Sequence, residues 1–419
     1  MLVAAALALL IALLAGLLAG CSSEASETQT TLSPTIPSTT FSLAAFPIQV
    51  SPQQTILITP EEPSVSVGAV MSRTGWLRAV DAVALAGIEA QVAIVNENGG
   101  VGDLPIALEV LDVQSDLNEA YQGGLQMAQE QAQLVLASCD RDFVQPTLQE
   151  TTEILTFIPC PVDQRWGMDN VFTFGLPAAA EGRALAAHAI STQARTAVVF
   201  SDRDSGYSEG VCSQFTQSFT ERGGRVLQSI PISYVSEASD FRGIVRQQVL
   251  RQAGLIVICS VLPTGRHLYE AIRSEGITTL VVAGSLLEGQ WLLENRRQGT
   301  LQVLSYGSVW GDDPATEVND LVRQIRLADA DIALDGRAVA AADAVMAFAL
   351  AAEQVAPDSE GRRSVAALQR AVEGLTDVQL VSGIASIDPS LHIISARILR
   401  VIESANNVPP RTIAIVPAS

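Results

Sequence analysis

Gly206-Tyr207-Ser208-Glu209-Gly210 is the segment whose spacing most directly suggests covalent chemistry. It fits G-x-S-x-G, in which a serine on a sharp strand-to-helix turn attacks an ester and a later acid and histidine complete a triad. His267 or His392 would have to serve as the base. The surroundings fit poorly, because Ser201-Asp202-Arg203-Asp204-Ser205 separates the preceding apolar run from the glycine, and no His-Gly oxyanion segment comes before it. A serine hydrolase acting through Ser208 is therefore the rival from another class. The three histidines, His188, His267 and His392, are far apart, and there is no Cys-x-x-Cys, so no metal site is signalled. The chain contains no lysine. That removes the P-loop and Schiff-base chemistry, both of which need its amine. No cofactor is implied.

With 25 arginines against 45 acidic residues, the net charge is −20. Such a balance argues against nucleic acid and against electrostatic docking to an anionic membrane. At 48% hydrophobic and 17% charged, the chain is not of disordered composition, and 419 residues suggest two packed units. Residues 1–20 are uncharged and apolar enough to span a bilayer, but Leu18-Ala19-Gly20-Cys21 resembles the bacterial lipobox. The usual positive segment before the apolar run is missing. The expectation is a lipoprotein signal over 1–20, lipidation at Cys21, and an extracytoplasmic protein anchored by acyl chains. Residues 21–63, rich in Ser, Thr and Pro, read as a tether spanning roughly 35 Å as a flexible coil. The apolar patch from Phe46 to Thr59 within it suggests a short strand.

From Ser64 onward, short β-branched runs alternate with amphipathic stretches. After VSVGAVM, residues Leu77, Val80, Ala84, Leu85, Ile88, Val92 and Val95 form one apolar stripe at helical steps. Asn98-Gly99-Gly100 ends it, since glycine accepts the left-handed closing conformation cheaply. The alternation repeats through VFTFGL, TAVVFS, LIVICS and TLVVAG, and calls for parallel sheets with helices on both faces. One sheet of ten or more such strands would be unusual, so two lobes are expected. The closing strands VSGIASI, IISARILRVI and TIAIV are too few for a third domain and are expected to cross back.

The segments PSVSVGAVMSRTG, AIVNENGGVGDLPIALEVLD, NVFTFGLPAAAEGRALAAHAI and VVFSDRDSGYSEG, in this order, resemble the type I periplasmic solute-binding proteins, and most closely the leucine/isoleucine/valine-binding subgroup served by ABC transporters. The likeness covers about residues 64–405. It implies an α/β fold of two doubly wound parallel-sheet lobes joined by a multi-crossing hinge, with 64–177 plus 312–378 as lobe one and 178–311 plus 379–419 as lobe two. In open parallel sheets the ligand sits beyond the strand carboxyl ends, where helix N-termini present N–H groups. Two such edges facing each other make a cleft.

The resemblance directs attention to particular loops. Thr74 and Gly75 match the family's Thr-Gly after the first strand, and Trp76 could wall a ligand; otherwise Thr74 caps a helix and Trp76 lies on the surface. Where amino-acid binders carry hydroxyl residues, this chain has Asp140 and Arg141, then Asp163. Asp140 could equally be a helix cap, and Arg141 could pair with a carboxylate or lie in solvent. Two carboxylates at this wall put a standard branched-chain amino acid in doubt and favour a cationic, amide-bearing or differently polar solute. In lobe two, Tyr207 matches the aromatic that covers the ligand. Ser260 and Ser285 follow strand ends, and Glu288 could meet an ammonium group.

Cys139, Cys160, Cys212 and Cys259 remain for pairing in an exported protein. Bonds within each lobe would leave closure unhindered, but three connectivities are possible and the sequence does not choose. The expectation is a monomeric, non-catalytic binder of a small polar molecule, partnered by ABC permease subunits and, through its lipid, by the membrane. A sensor built on the same module remains an alternative.

Overall fold

The structure, a computed structural model, describes residues 56–58, 63–161, 166–235, 237–295 and 298–418. Cys21, the lipobox, Asp163 and most of the tether lie outside the described residues. The short strand expected between Phe46 and Thr59 is β1 (Ile56–Ile58).

The first lobe opens with β2 (Val65–Met71), α1 (Arg78–Glu97), β3 (Ile106–Asp112), α2 (Leu117–Gln129), β4 (Leu134–Ala137), α3 (Arg141–Glu150), β5 (Leu155–Ile158) and β6 (Val171–Thr173). Helix α1 buries Ala84, Leu85, Ile88, Val92 and Val95, the predicted stripe, against the sheet and a later helix. It ends where Gly99 and Gly100 adopt φ of 104° and 79°; a side chain at 100 would collide with the Leu104 carbonyl.

The second lobe holds α4 (Ala178–Ser191), β7 (Thr196–Asp202), α5 (Gly206–Glu221), β8 (Arg225–Ile232), β9 (Leu255–Cys259), α6 (Thr264–Ser274), β10 (Val281–Ala283) and β11 (Leu301–Ser305). The chain then returns to the first lobe with α7 (Thr316–Ala328), α8 (Arg337–Glu353) and α9 (Val365–Glu373). Next come β12 (Val378–Leu380), β13 (Gly383–Asp388) and β14 (Ile393–Ser395), and finally β15 (Arg397–Ala405) and β16 (Val408–Ala418).

Sheet one runs β1-β3-β2-β4-β5-β6-β14-β13-β12, and sheet two β16-β15-β11-β10-β9-β7-β8. Both are mixed rather than purely parallel. β1 joins one edge of sheet one antiparallel, β13 and β12 pair antiparallel at the other, and β15 and β16 pair antiparallel in sheet two.

The tail departs from expectation. Residues 379–395, assigned from sequence to lobe two, hydrogen-bond into sheet one, and only β15 and β16 join sheet two. The apparent single strand IISARILRVI is two strands in two lobes, broken at Ala396, whose φ is 52°. With neither Gly nor Pro there, the break carries no local sequence signal.

Three segments cross between the lobes among the described residues: 174–177, 306–315 and 396. Arg397, fully buried, binds all three together. Its guanidinium donates to the Phe174 carbonyl at 2.7 Å, pairs with buried Asp343 of α8, and lies 4.9 Å over the Tyr306 ring. Arg400 holds Asp313 through two hydrogen bonds, at 2.9 and 2.7 Å. Each buried charge has its counter-charge, which is the condition under which burial is tolerated.

Candidate functional site

A cavity of about 810 Å³ lies where the carboxyl ends of the two sheets meet. Lobe one contributes Ala79, Val80, Cys139, Asp140, Arg141, Pro161, Asp335 and Arg337, and lobe two Ser205, Gly206, Tyr207, Val261, Leu262, Pro263, Ser285, Leu286 and Glu288. Of the residues nominated from sequence, the structure brings Asp140, Arg141, Tyr207, Ser285 and Glu288 to this cavity. Thr74, Trp76 and Ser260 do not line it.

The reasons are local. The Thr74 hydroxyl donates to Asp112 at 2.7 Å instead of capping a helix. Trp76 is 62% exposed and meets Phe143 edge-on. Ser260 turns inward to donate to Asp202 at 2.6 Å. Asp140 is the N-cap of α3, accepting from the Asp142 N–H at 2.9 Å, and also lines the cavity. Arg141 is exposed at the rim and has no partner among the described residues.

Tyr207 differs from the covering aromatic expected. It is buried, with its hydroxyl 2.9 Å from the Leu176 carbonyl in the first crossing and 2.8 Å from Glu181 Oε2. One hydroxyl proton cannot serve both oxygens. The hydroxyl therefore donates to one of them at a time, and burial pushes the Glu181 carboxyl upward against the hydrogen bonds from Ser285 and Tyr207 that pull it down. The Leu176 N–H in turn donates to the Tyr306 hydroxyl at 3.1 Å. Tyr207 thus joins the cavity wall to the hinge. Ser285 spends its N–H and hydroxyl on Glu181, both at 2.7 Å.

Glu288 is 3% exposed. Its Oε2 accepts from the Gly336 N–H of lobe one at 2.9 Å, whereas its buried Oε1 has no hydrogen-bond partner among the described residues. Gly336 allows that approach, since a Cβ there would crowd Ser305, the Tyr306 amide and the carboxylate itself. Burial, and then the nearby Asp335 carboxylate, push Glu288 up to about 8, against the opposing pull of Ser305, Gly336 and Arg337. Arg337 is forked onto Asp335 and donates to the Val80 carbonyl at 2.9 Å, so its guanidinium is already committed.

The cysteines pair as Cys139–Cys160 and Cys212–Cys259, each within one lobe. The first bond joins the loops after β4 and β5, of which Cys139 and Pro161 line the cavity, and the Cys160–Pro161 backbone packs on Gly175 of the first crossing. Sequence reasoning missed Asp81, Glu181, Asp335 and Arg337. Only their long-range partners mark them, and an isolated Asp in the first turn of a helix is locally unremarked.

The hydrolase arrangement does not form among the described residues. Ser208 is buried in the first turn of α5, with its N–H held by the Ser205 hydroxyl. His267 contacts the Val235 carbonyl, and His392 contacts Glu373 and stacks on Phe172.

A sequence profile described as periplasmic binding protein matches residues 64–400. No curated protein matches. Among solved structures, the branched-chain amino acid transporter substrate-binding protein of Streptococcus pneumoniae, in complex with isoleucine, is similar at a TM-score of 0.67 and 17% identity, covering 84% of this chain and 99% of that one. A solute-binding protein of an R. palustris ABC transporter, in complex with benzoate, is similar at 0.66 and 16%, covering 85% and 98%. The ABC transporter substrate-binding protein of Sphaerobacter thermophilus is similar at 0.71 and 13%, again covering 85% and 98%. At these identities the likeness is one of fold.

Proposed function

The chain belongs to the periplasmic binding protein family, and on that premise we propose that it is an extracytoplasmic solute-binding protein, which captures a small polar molecule between its lobes and delivers it to an ABC importer. The observation that carries this reading is the cavity itself: it is roofed and floored by strand carboxyl ends of both lobes, and a buried carboxyl oxygen of a lining residue, Glu288, has no partner among the described residues. A ligand touching both walls favours the shut form by its differential contacts there. Asp140, Arg141, Tyr207, Ser285 and Glu288 are the contacts proposed on this side of the reading. Asp163, outside the described residues, is proposed with them from its place after β5. Lipidation at Cys21, a monomeric state and binding without catalysis complete the proposal.

A thermal-shift screen of amino acids, amides, polyamines and small carboxylates tests it, because a ligand that binds only the folded chain raises its melting temperature. A stabilising compound supports capture. A chain that no member of such a screen stabilises contradicts it. Labelling of Ser208 in folded protein by a fluorophosphonate would contradict binding without catalysis.

A further inference from the structure

The strand ends around the cavity share a feature that bears on what they hold. At the carboxyl end of a doubly wound sheet, free N–H and hydroxyl donors normally await an anionic group of the ligand. Here the chain's own carboxyl groups already take them. Beyond β2 and β4, fully buried Asp81 accepts from the Ser72 N–H at 2.8 Å, the Cys139 N–H at 2.8 Å and the Ser138 hydroxyl at 3.0 Å. Beyond β3, Asp112 collects the N–H groups of Arg73, Thr74 and Gln114. In lobe two, Asp202 takes Ser260 and the Asp204 N–H, and Glu181 takes both donors of Ser285.

What faces the cavity is therefore a set of acceptors. Asp140 lines it, and Glu288 brings a buried Oε1 that has no hydrogen-bond partner among the described residues. The cations nearby do not reverse this. Arg337 is spent on Asp335 and Val80, and Arg141 stands exposed at the rim, where water screens it.

We propose that the cleft selects small organic cations that carry no carboxylate, such as amines, polyamines and guanidines, with Asp81 and its counterparts acting as built-in anions that close the strand-end donors to a ligand carboxylate. The proposal rests on the solute-capture reading and narrows it. Glu288 Oε1 is the acceptor for the cationic head, whose charge displaces the proton that burial otherwise holds on this carboxyl. Asp81 is a positioning residue, which sets the sign of the wall without touching the ligand. A buried acceptor left unpaired is costly, and a cationic donor placed on it satisfies charge and hydrogen bond together.

Matched pairs that differ only by a carboxylate isolate the claim: agmatine and arginine, putrescine and ornithine, cadaverine and lysine, with isoleucine and benzoate alongside. Calorimetric titration of the full folded chain should show at least one amine binding about tenfold or more tightly than its amino-acid partner. Glu288→Gln should remove most of that preference while the variant still melts cooperatively. Asp81→Asn, if it folds, should narrow the gap between the members of a pair. Tighter binding of the amino acids, of isoleucine or of benzoate overturns the assignment and leaves solute capture standing. Silence from all of these compounds overturns it as well, and silence from the wider screen would overturn capture too.

Discussion

Glu288→Gln also makes a prediction that needs no ligand. In the folded chain burial and Asp335 raise Glu288 from 4.5 to about 8. Between those values the folded chain holds a proton that the unfolded chain has released, so its stability falls as pH rises. The limiting slope for one such proton is about 1.4 kcal/mol per pH unit. Below the unfolded value both states are protonated, and above about 8 both are ionised, so this residue contributes no slope outside the window. The substituted amide would keep an oxygen for the Gly336 N–H and cannot ionise. The variant should therefore match the native chain near pH 5 and exceed it by several degrees of melting temperature near pH 8.5. Asp81, which burial raises from 3.8 to about 6, and Glu181, also raised, act in the same direction in both proteins and cancel in the comparison. Thermal denaturation followed by circular dichroism from pH 5 to 9 measures it. Parallel curves for the two proteins, or a variant weaker at every pH, would refute the account of this carboxylate.

Three further outcomes follow from the same geometry. Tyr207→Phe removes the hydroxyl shared with Leu176 and Glu181, leaving buried acceptors unmet; urea unfolding should show a loss of about 1–3 kcal/mol. Arg397→Met leaves Asp343 as an unpaired charge under the hinge, a loss of about 3–5 kcal/mol by the same assay. Replacing Cys139 and Cys160 together by serine frees a span of 21 residues, worth about 3 kcal/mol in the chain-entropy account; because those loops form the cavity wall, a ligand found by titration should also bind more weakly.

Periodicity and punctuation made the fold readable. The stripe on α1, its glycine ending and the alternation of apolar runs each follow from local rules, and the paired lobes follow from their number. Ala396 was not readable, because a non-glycine residue forced to φ of 52° by its surroundings leaves no mark in the chain. The site divided along the same line. Asp140, Tyr207 and Glu288 follow strand ends at distances that place them by topology alone. The destinations of the Thr74 and Ser260 hydroxyls depended on Asp112 and Asp202, the aspartates that end β3 and β7. Asp81 and Glu181 went unnoticed because helix-borne carboxylates reveal their role only when the sheet ends close over them.

Small-angle scattering of the chain, titrated with whichever compound stabilises it most, addresses the central claim directly. Capture between hinged lobes predicts a smaller radius of gyration and a profile that changes in step with calorimetric occupancy. Profiles that superimpose at zero and full occupancy would contradict it.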